Sequence, residues 1–244
     1  MLETRRKFVR LLGFLAVLLG GLAAVPEAAA QHLAGIDVSH YQGTVNWQAV
    51  RNSGITFAFA KATEGTTYTD PTINFNIGSM KKYGIVPGAY HFGHPGTNAV
   101  TQAQHFASVV RSANGGSFHG LLQLVLDLEV TDGQSPAQVW AWTQAFIGEV
   151  VHQTGRPGII YTGFYFWRDQ VGDPNNNLNC PLWLAAWIPE SQTNSLIPRA
   201  WSGVGWAFWQ YTDRGSVGGV SGYVDRDFFK NFGSYPNINA LRIP

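Results

Sequence analysis

Asp127 and Glu129 stand two residues apart at the end of an apolar run, LQLVLDLEV. Burying one carboxylate is costly, and burying two like charges together costs more, so such a pair belongs at the wet end of a strand or serves chemistry. Residues two apart on a strand share a face. Further acids close other strand-like runs: Asp37 in GIDVSHYQG, Glu64 in FAKATEG and Asp225 in GYVDRDF. Crowded carboxylates suit glycoside hydrolysis. That reaction needs a protonated acid for the leaving oxygen and an anion beside an oxocarbenium-like centre, and mutual repulsion keeps one carboxyl protonated while others ionise.

Acid clusters also hold magnesium, calcium or zinc, and His91-x-x-His94 adds imidazoles. Pro95-Gly96 follows directly, and no tight Asp-x-Asp or Glu-x-x-His spacing is present, so no metal and no cofactor is expected. His40 and His91 are expected instead as hydrogen-bonding members of a cleft. Nucleophilic serine or cysteine chemistry finds no Gly-x-Ser-x-Gly elbow, and Cys180 in NLNCPLW has no activating neighbour; it reads as a small buried hydrophobe.

Positioning these acids takes a folded scaffold, and the N-terminus lies outside it. Arg5, Arg6, Lys7 and Arg10 precede an apolar stretch from Leu11 to Val25, too short for a comfortable span, and EAAAQ offers cleavage near Ala30. The string TRRKFVR resembles a twin-arginine export signal, with a general secretory signal as the alternative. The expectation is therefore an exported protein, periplasmic or extracellular, with residues 1–30 as signal and 31–244 as one domain. No stable membrane association is expected after cleavage. Removing the signal takes four of 16 basic and two of 15 acidic residues, leaving a near-neutral chain with no basic field for nucleic acid. One cysteine excludes an internal disulfide. Nine Trp, nine Tyr and 15 Phe give more flat apolar surface than a core this size needs, and flat rings with polar edges suit sugar faces.

Strand-like runs recur at 34–38, 55–60, 85–91, 121–128, 158–162, 182–187, 206–211 and near 222–225. Several are continuously apolar, as parallel strands covered on both faces are. Helical stretches lie between the early ones: 46–52, 71–83 with Asp70 as N-cap, 99–113 after Asn98, 136–154 between Ser135 and Gly155, and 164–170. After Trp187 the Pro- and Gly-punctuated sequence carries no helical period. The order reads as an α/β fold, a modified TIM-like barrel of five βα units followed by three strands lacking helices. In such barrels the site lies at the C-terminal rim of the strands, where these acids fall.

The blocks GIDVSHYQGTVNW, FAFAKATEGTTYTDP, GIVPGAYHF, LVLDLEV, GIIYTG, LWLAAW, AFWQYTD and GVSGYVDRDFF occur in the order of glycoside hydrolase family 25, the Chalaropsis-type N-acetylmuramidases, and the resemblance spans roughly 34–229. It implies the same barrel and cleavage of the β-1,4 bond between N-acetylmuramic acid and N-acetylglucosamine in peptidoglycan glycan strands. By the same resemblance Glu129 is the general acid, Asp127 holds the substrate's 2-acetamido group, and Asp37 and Asp225 flank them. Tyr90 and Tyr161 are expected against the sugar. Trp187 and Trp209 are candidate sugar platforms or packing residues, and Trp187 stands where the family more often has Tyr. Lys61 and Glu64 form either a site pair or a supporting ion pair. Substrate-assisted and inverting mechanisms both stay open. Weighed against this enzyme, a monomer without wall-binding repeats, are a catalytically silent peptidoglycan- or chitin-binding barrel and a chitinase.

Overall fold

The computed structural model describes residues 32–231 and 233–244; the expected signal segment lies outside them. Nine strands form one sheet: β1 (Leu33–Val38), β2 (Phe57–Glu64), β3 (Tyr68–Thr69), β4 (Val86–Phe92), β5 (Val125–Asp127), β6 (Ile159–Gly163), β7 (Leu182–Ala185), β8 (Phe208–Gly215) and β9 (Val224–Phe229). Its order is β1-β9-β8-β7-β6-β5-β4-β2-β3, and a further β1–β2 pairing closes eight strands into a barrel, with β3 as a short antiparallel flap on β2. The helices are α1 (Trp47–Asn52), α2 (Ile73–Lys82), α3 (Ala99–Ala113), α4 (Pro136–Thr154) and α5 (Phe164–Gln170). Five βα units followed by three strands is the expected architecture.

Local chemistry sets the helix ends. Ser135 and Gln138 form a capping box at α4, Pro136 opens its first turn, and Gly155 closes it in the left-handed region at φ 69°. The α2 expectation needs correction, since the helix begins at Ile73 and its N-cap residue is Thr72. The Asp70 side chain does accept the Thr72 N–H, at 2.9 Å, but it is also drawn to His40, and the chain takes two residues of turn before helical pairing starts. Beyond β7, 3-10 turns at Glu190–Leu196 and Arg199–Trp201 take the place of helices.

Alternation along the strands divides the core. Phe57, Phe59, Val125, Ile159, Trp183 and Phe208 fill the barrel interior. Their neighbours Ala58, Ala60, Leu126, Ile160, Leu184 and Trp209 face the outer layer. Interior rings need gaps opposite: a Cβ on Gly35 or Gly88 would lie 2.3 Å or 2.2 Å from the Phe57 or Phe59 ring. The C-terminal segment plugs the bottom, with Leu122 bridged to Arg242 and Ile238 and Leu241 joining the interior cluster.

The last strand differs from expectation. It starts at Val224 rather than ending at Asp225, and it runs antiparallel to both β1 and β8. Asp225 is thus near the beginning of its strand. Because β9 is reversed, that beginning lies at the same rim as the C-terminal ends of the parallel strands, and Asp225 sits directly opposite Asp37.

Candidate active site

Each acid reaches the rim through the two-residue period of its strand. Asp37 is the fifth residue of β1, Asp127 ends β5 and Glu129 follows two residues later on the same face, and Asp225 and Asp227 alternate with outward residues on β9. Asp37, Asp127, Glu129 and Asp225 converge with Lys61, Tyr90, Tyr161 and Gln210 on one pocket of about 260 Å³. The four acids, Tyr90 and Tyr161 are thus brought together in one pocket. Tyr161 donates its hydroxyl to Gln210 Oε1 at 3.0 Å, and Gln210 in turn donates to Asp37 Oδ2 at 2.9 Å. Trp187 is 59% exposed and outside the pocket lining, though its indole N–H lies 3.3 Å from Gln210 Oε1.

Two expected site residues are elsewhere. His91 is fully buried on the outer face of β4, bonded to Thr63 Oγ1 at 2.8 Å and Gln102 Oε1 at 2.9 Å and packed against Phe146; burial pushes its pKa down to about 4. It follows inward-facing Tyr90, so the pleat turns it away from the cleft. Trp209 faces outward for the same reason, 3% exposed, with its N–H donated to Ala186 O at 2.6 Å. It is a packing residue. His91 and His94 do not converge either, because His94 lies in a separate groove between Glu64 and Asp132. His40 sits on the rim, bound to Asp70. Cys180 is buried and its thiol is pushed up to about 12, as an inert hydrophobe's would be.

The acids press on one another. Burial raises Asp37 well above the usual range, then Asp227 and Asp225 raise it further, while the Gln210 amide opposes them. Burial likewise raises Asp127, followed by Glu129, with Lys61 opposing. Glu129 is raised by desolvation, held back by Lys61 and pushed up by Asp225. Asp225 is raised to about 6, mainly by desolvation. Lys61 pairs with Glu64, and that pair joins the pocket to the neighbouring groove.

Asp227 was not singled out from sequence. It is fully buried beneath Asp37 and Asp225, accepts the Trp183 indole N–H at 2.9 Å, and is held well above the usual carboxylate range by its burial. Its position two residues after Asp225 in VDRDFF was the available signal. Asp127 lines the pocket, and among the described residues no donor reaches its buried Oδ1.

The profile of Glycosyl hydrolases family 25 matches residues 36–220. Lysozyme M1 of Streptomyces globisporus is 37% identical over 238 residues, covering 91% of this chain and 77% of its own. The N,O-diacetylmuramidase of Chalaropsis sp is 32% identical, covering 85% of this chain and 97% of its own. Among solved structures, a bacterial lysozyme from Streptomyces coelicolor superposes with a TM-score of 0.77 at 36% identity, covering 87% of this chain and 97% of its own. A family GH25 lysozyme from Aspergillus fumigatus gives 0.73 at 31%, covering 88% and 100%. A closed barrel with its carboxyls gathered at one rim, a match over most of the chain and relatives at this identity agree: the chain is a glycoside hydrolase and belongs to family 25.

Proposed function

We propose that this chain is an exported muramidase that cleaves the β-1,4 bond between N-acetylmuramic acid and N-acetylglucosamine in peptidoglycan, with Glu129 as general acid. The observation that carries the reading is the Asp127–Glu129 pair in one pocket, one oxygen of Asp127 being buried and without a donor. The coupled pair retains a proton at a pH where isolated carboxyls have lost theirs. A substrate acetamido N–H donating to Asp127 favours its anion and leaves that proton on Glu129. Glu129 then protonates the glycosidic oxygen as its bond to the anomeric carbon breaks. The acetamido oxygen closes on that carbon, Asp127 offsets the resulting positive charge, and water opens the ring while Glu129 takes a proton back. Asp37 and Asp225 flank the pair and tune its protonation. Residues 1–30 act as the export signal and 31–244 as the single catalytic domain. Among the described residues no helix is long and apolar enough to cross a membrane.

The test is digestion of N-acetylated peptidoglycan by the chain without residues 1–30, beside Glu129→Gln, with fragments reduced by borohydride and weighed. Reduced muramic acid ends from the parent and none from Glu129→Gln support the proposal. Reduced glucosamine ends place the cut at the other bond. Wall binding without fragments from either protein identifies a silent barrel.

A further inference from the structure

Tyr41 is 82% exposed on the turn after β1, yet it is not loose. Ser39 and Gln42 cap that turn reciprocally. The turn is also tied down by Asp70, whose fully buried side chain takes the His40 backbone N–H at 3.0 Å, the His40 ring Nδ1 at 2.9 Å, and the Thr72 N–H and hydroxyl at 2.9 and 2.6 Å. The His40 ring, so fixed, carries Tyr41 on one face with centroids 4.2 Å apart. Tyr68, from the β3 flap, sets its hydroxyl 3.1 Å from the same His40 nitrogen and is itself 38% exposed. A buried carboxylate whose two oxygens both accept hydrogen bonds is here holding in place a surface ring that the core does not use.

The ridge lies between two hollows. Tyr41 borders the pocket of the four acids, and Tyr68 borders the adjoining groove of about 390 Å³, whose walls include Thr66, Thr67, His94 and Asp132. An exposed, immobilised aromatic face next to polar groups is the surface on which a pyranose stacks its C–H face while its hydroxyls and acetamido group find partners at the edge. A linear glycan that leaves the acid pocket past Tyr41 meets this ridge.

We propose that Tyr41 and Tyr68, locked through His40 by Asp70, form a distal subsite that stacks an additional N-acetylhexosamine unit of the same glycan strand. The occupant is a saccharide because the ridge is continuous with the acid pocket, and the proposal rests on the glycan reading of that pocket. The subsite adds affinity for long strands. Asp70 is a positioning residue for it.

Two readouts separate this proposal from the function proposed above. Steady-state cleavage of tetrasaccharide and dodecasaccharide strands, stripped of stem peptides, is compared for the parent, Tyr41→Ala and Tyr41→Phe, with Val151→Ala on the exposed face of α4 as control. Binding of the dodecasaccharide is titrated calorimetrically in a Glu129→Gln background. Tyr41→Ala is expected to lower the parent's preference for the long strand about fivefold to tenfold through KM, and to weaken binding by the same factor, with Tyr41→Phe close to the parent. An unchanged long-to-short ratio and unchanged binding overturn the subsite. If the parent cleaves neither strand, the muramidase reading fails, and the binding titration alone then upholds or overturns the platform.

Discussion

Lys61 is the only cation among the described residues that line the acid pocket, and it opposes the raised pKa of both Asp127 and Glu129. Lys61→Met keeps most of the apolar stem and removes the charge. A general acid has to be protonated to act, so taking away a nearby cation extends activity to higher pH. The basic limb of the kcat/KM profile is expected to move up by about 0.5–1 pH unit. A limb that stays in place or moves down would show that Lys61 does not set the protonation of the pair. At this scale the sequence revealed the four rim acids through their spacing on apolar runs. It did not reveal Asp227, since an acid in VDRDFF is equally compatible with an exposed strand face until the pairing of β9 is known. His91 and Trp209 were misplaced for a related reason: each neighbours a true pocket residue, Tyr90 or Gln210, and a shift of one position along a strand exchanges inside for outside.

The elements were legible to within a residue or two where local signals were strong. α3, α4 and α5 begin and end where the caps and periods place them. The last strand was not, because strand direction leaves no mark in the local sequence. Interior packing supplies a test at the scale of a strand pair. Gly35 on β1 leaves room for the ring of Phe57 on β2, which is fully buried against Phe59 and Phe208. Gly35→Ala is expected to cost about 1–3 kcal/mol, because the close-packed barrel cannot move the ring aside. Adding Phe57→Leu should recover part of that loss, measured by urea unfolding as a double-mutant cycle. Additive costs would mean that the two residues do not share the space.

For the molecule as a whole, the acid cluster couples folding to pH. Asp225 is held near 6 against an ordinary 3.8, so the native state keeps a proton that the unfolded chain releases between those values. The stabilisation is complete below the unfolded pKa and is lost as pH rises through the folded one. Asp37, Asp127 and Asp227 act in the same direction. His91 acts oppositely: held near 4 against 6.5, it contributes stability above 6.5 that is lost as pH falls through 4. Subtracting wild type from Asp225→Asn removes the His91 contribution, which both share. The variant should gain about 1–2 kcal/mol on wild type as pH rises from about 4 to 7, read by urea unfolding at each pH. A difference curve that is flat with pH would count against a raised Asp225.

The order of apolar runs, caps and turn residues by itself determined a barrel of five βα units and three further strands, and it placed a set of acids near strand ends. Those are local properties, written in the period of two or 3.6 residues and in the chemistry of helix termini. Only the tertiary structure decided which acids meet. Asp37 and Asp225 are 188 positions apart in the numbering and become neighbours because β9 runs backwards against β1. The same closure buries Asp227 under them and turns His91 and Trp209 outward. It also sets Tyr41 on a His40 ring held by an acid from the far side of β2. Each of these depends on register and direction between distant strands, which hydrogen bonding across the closed sheet fixes and no local pattern carries.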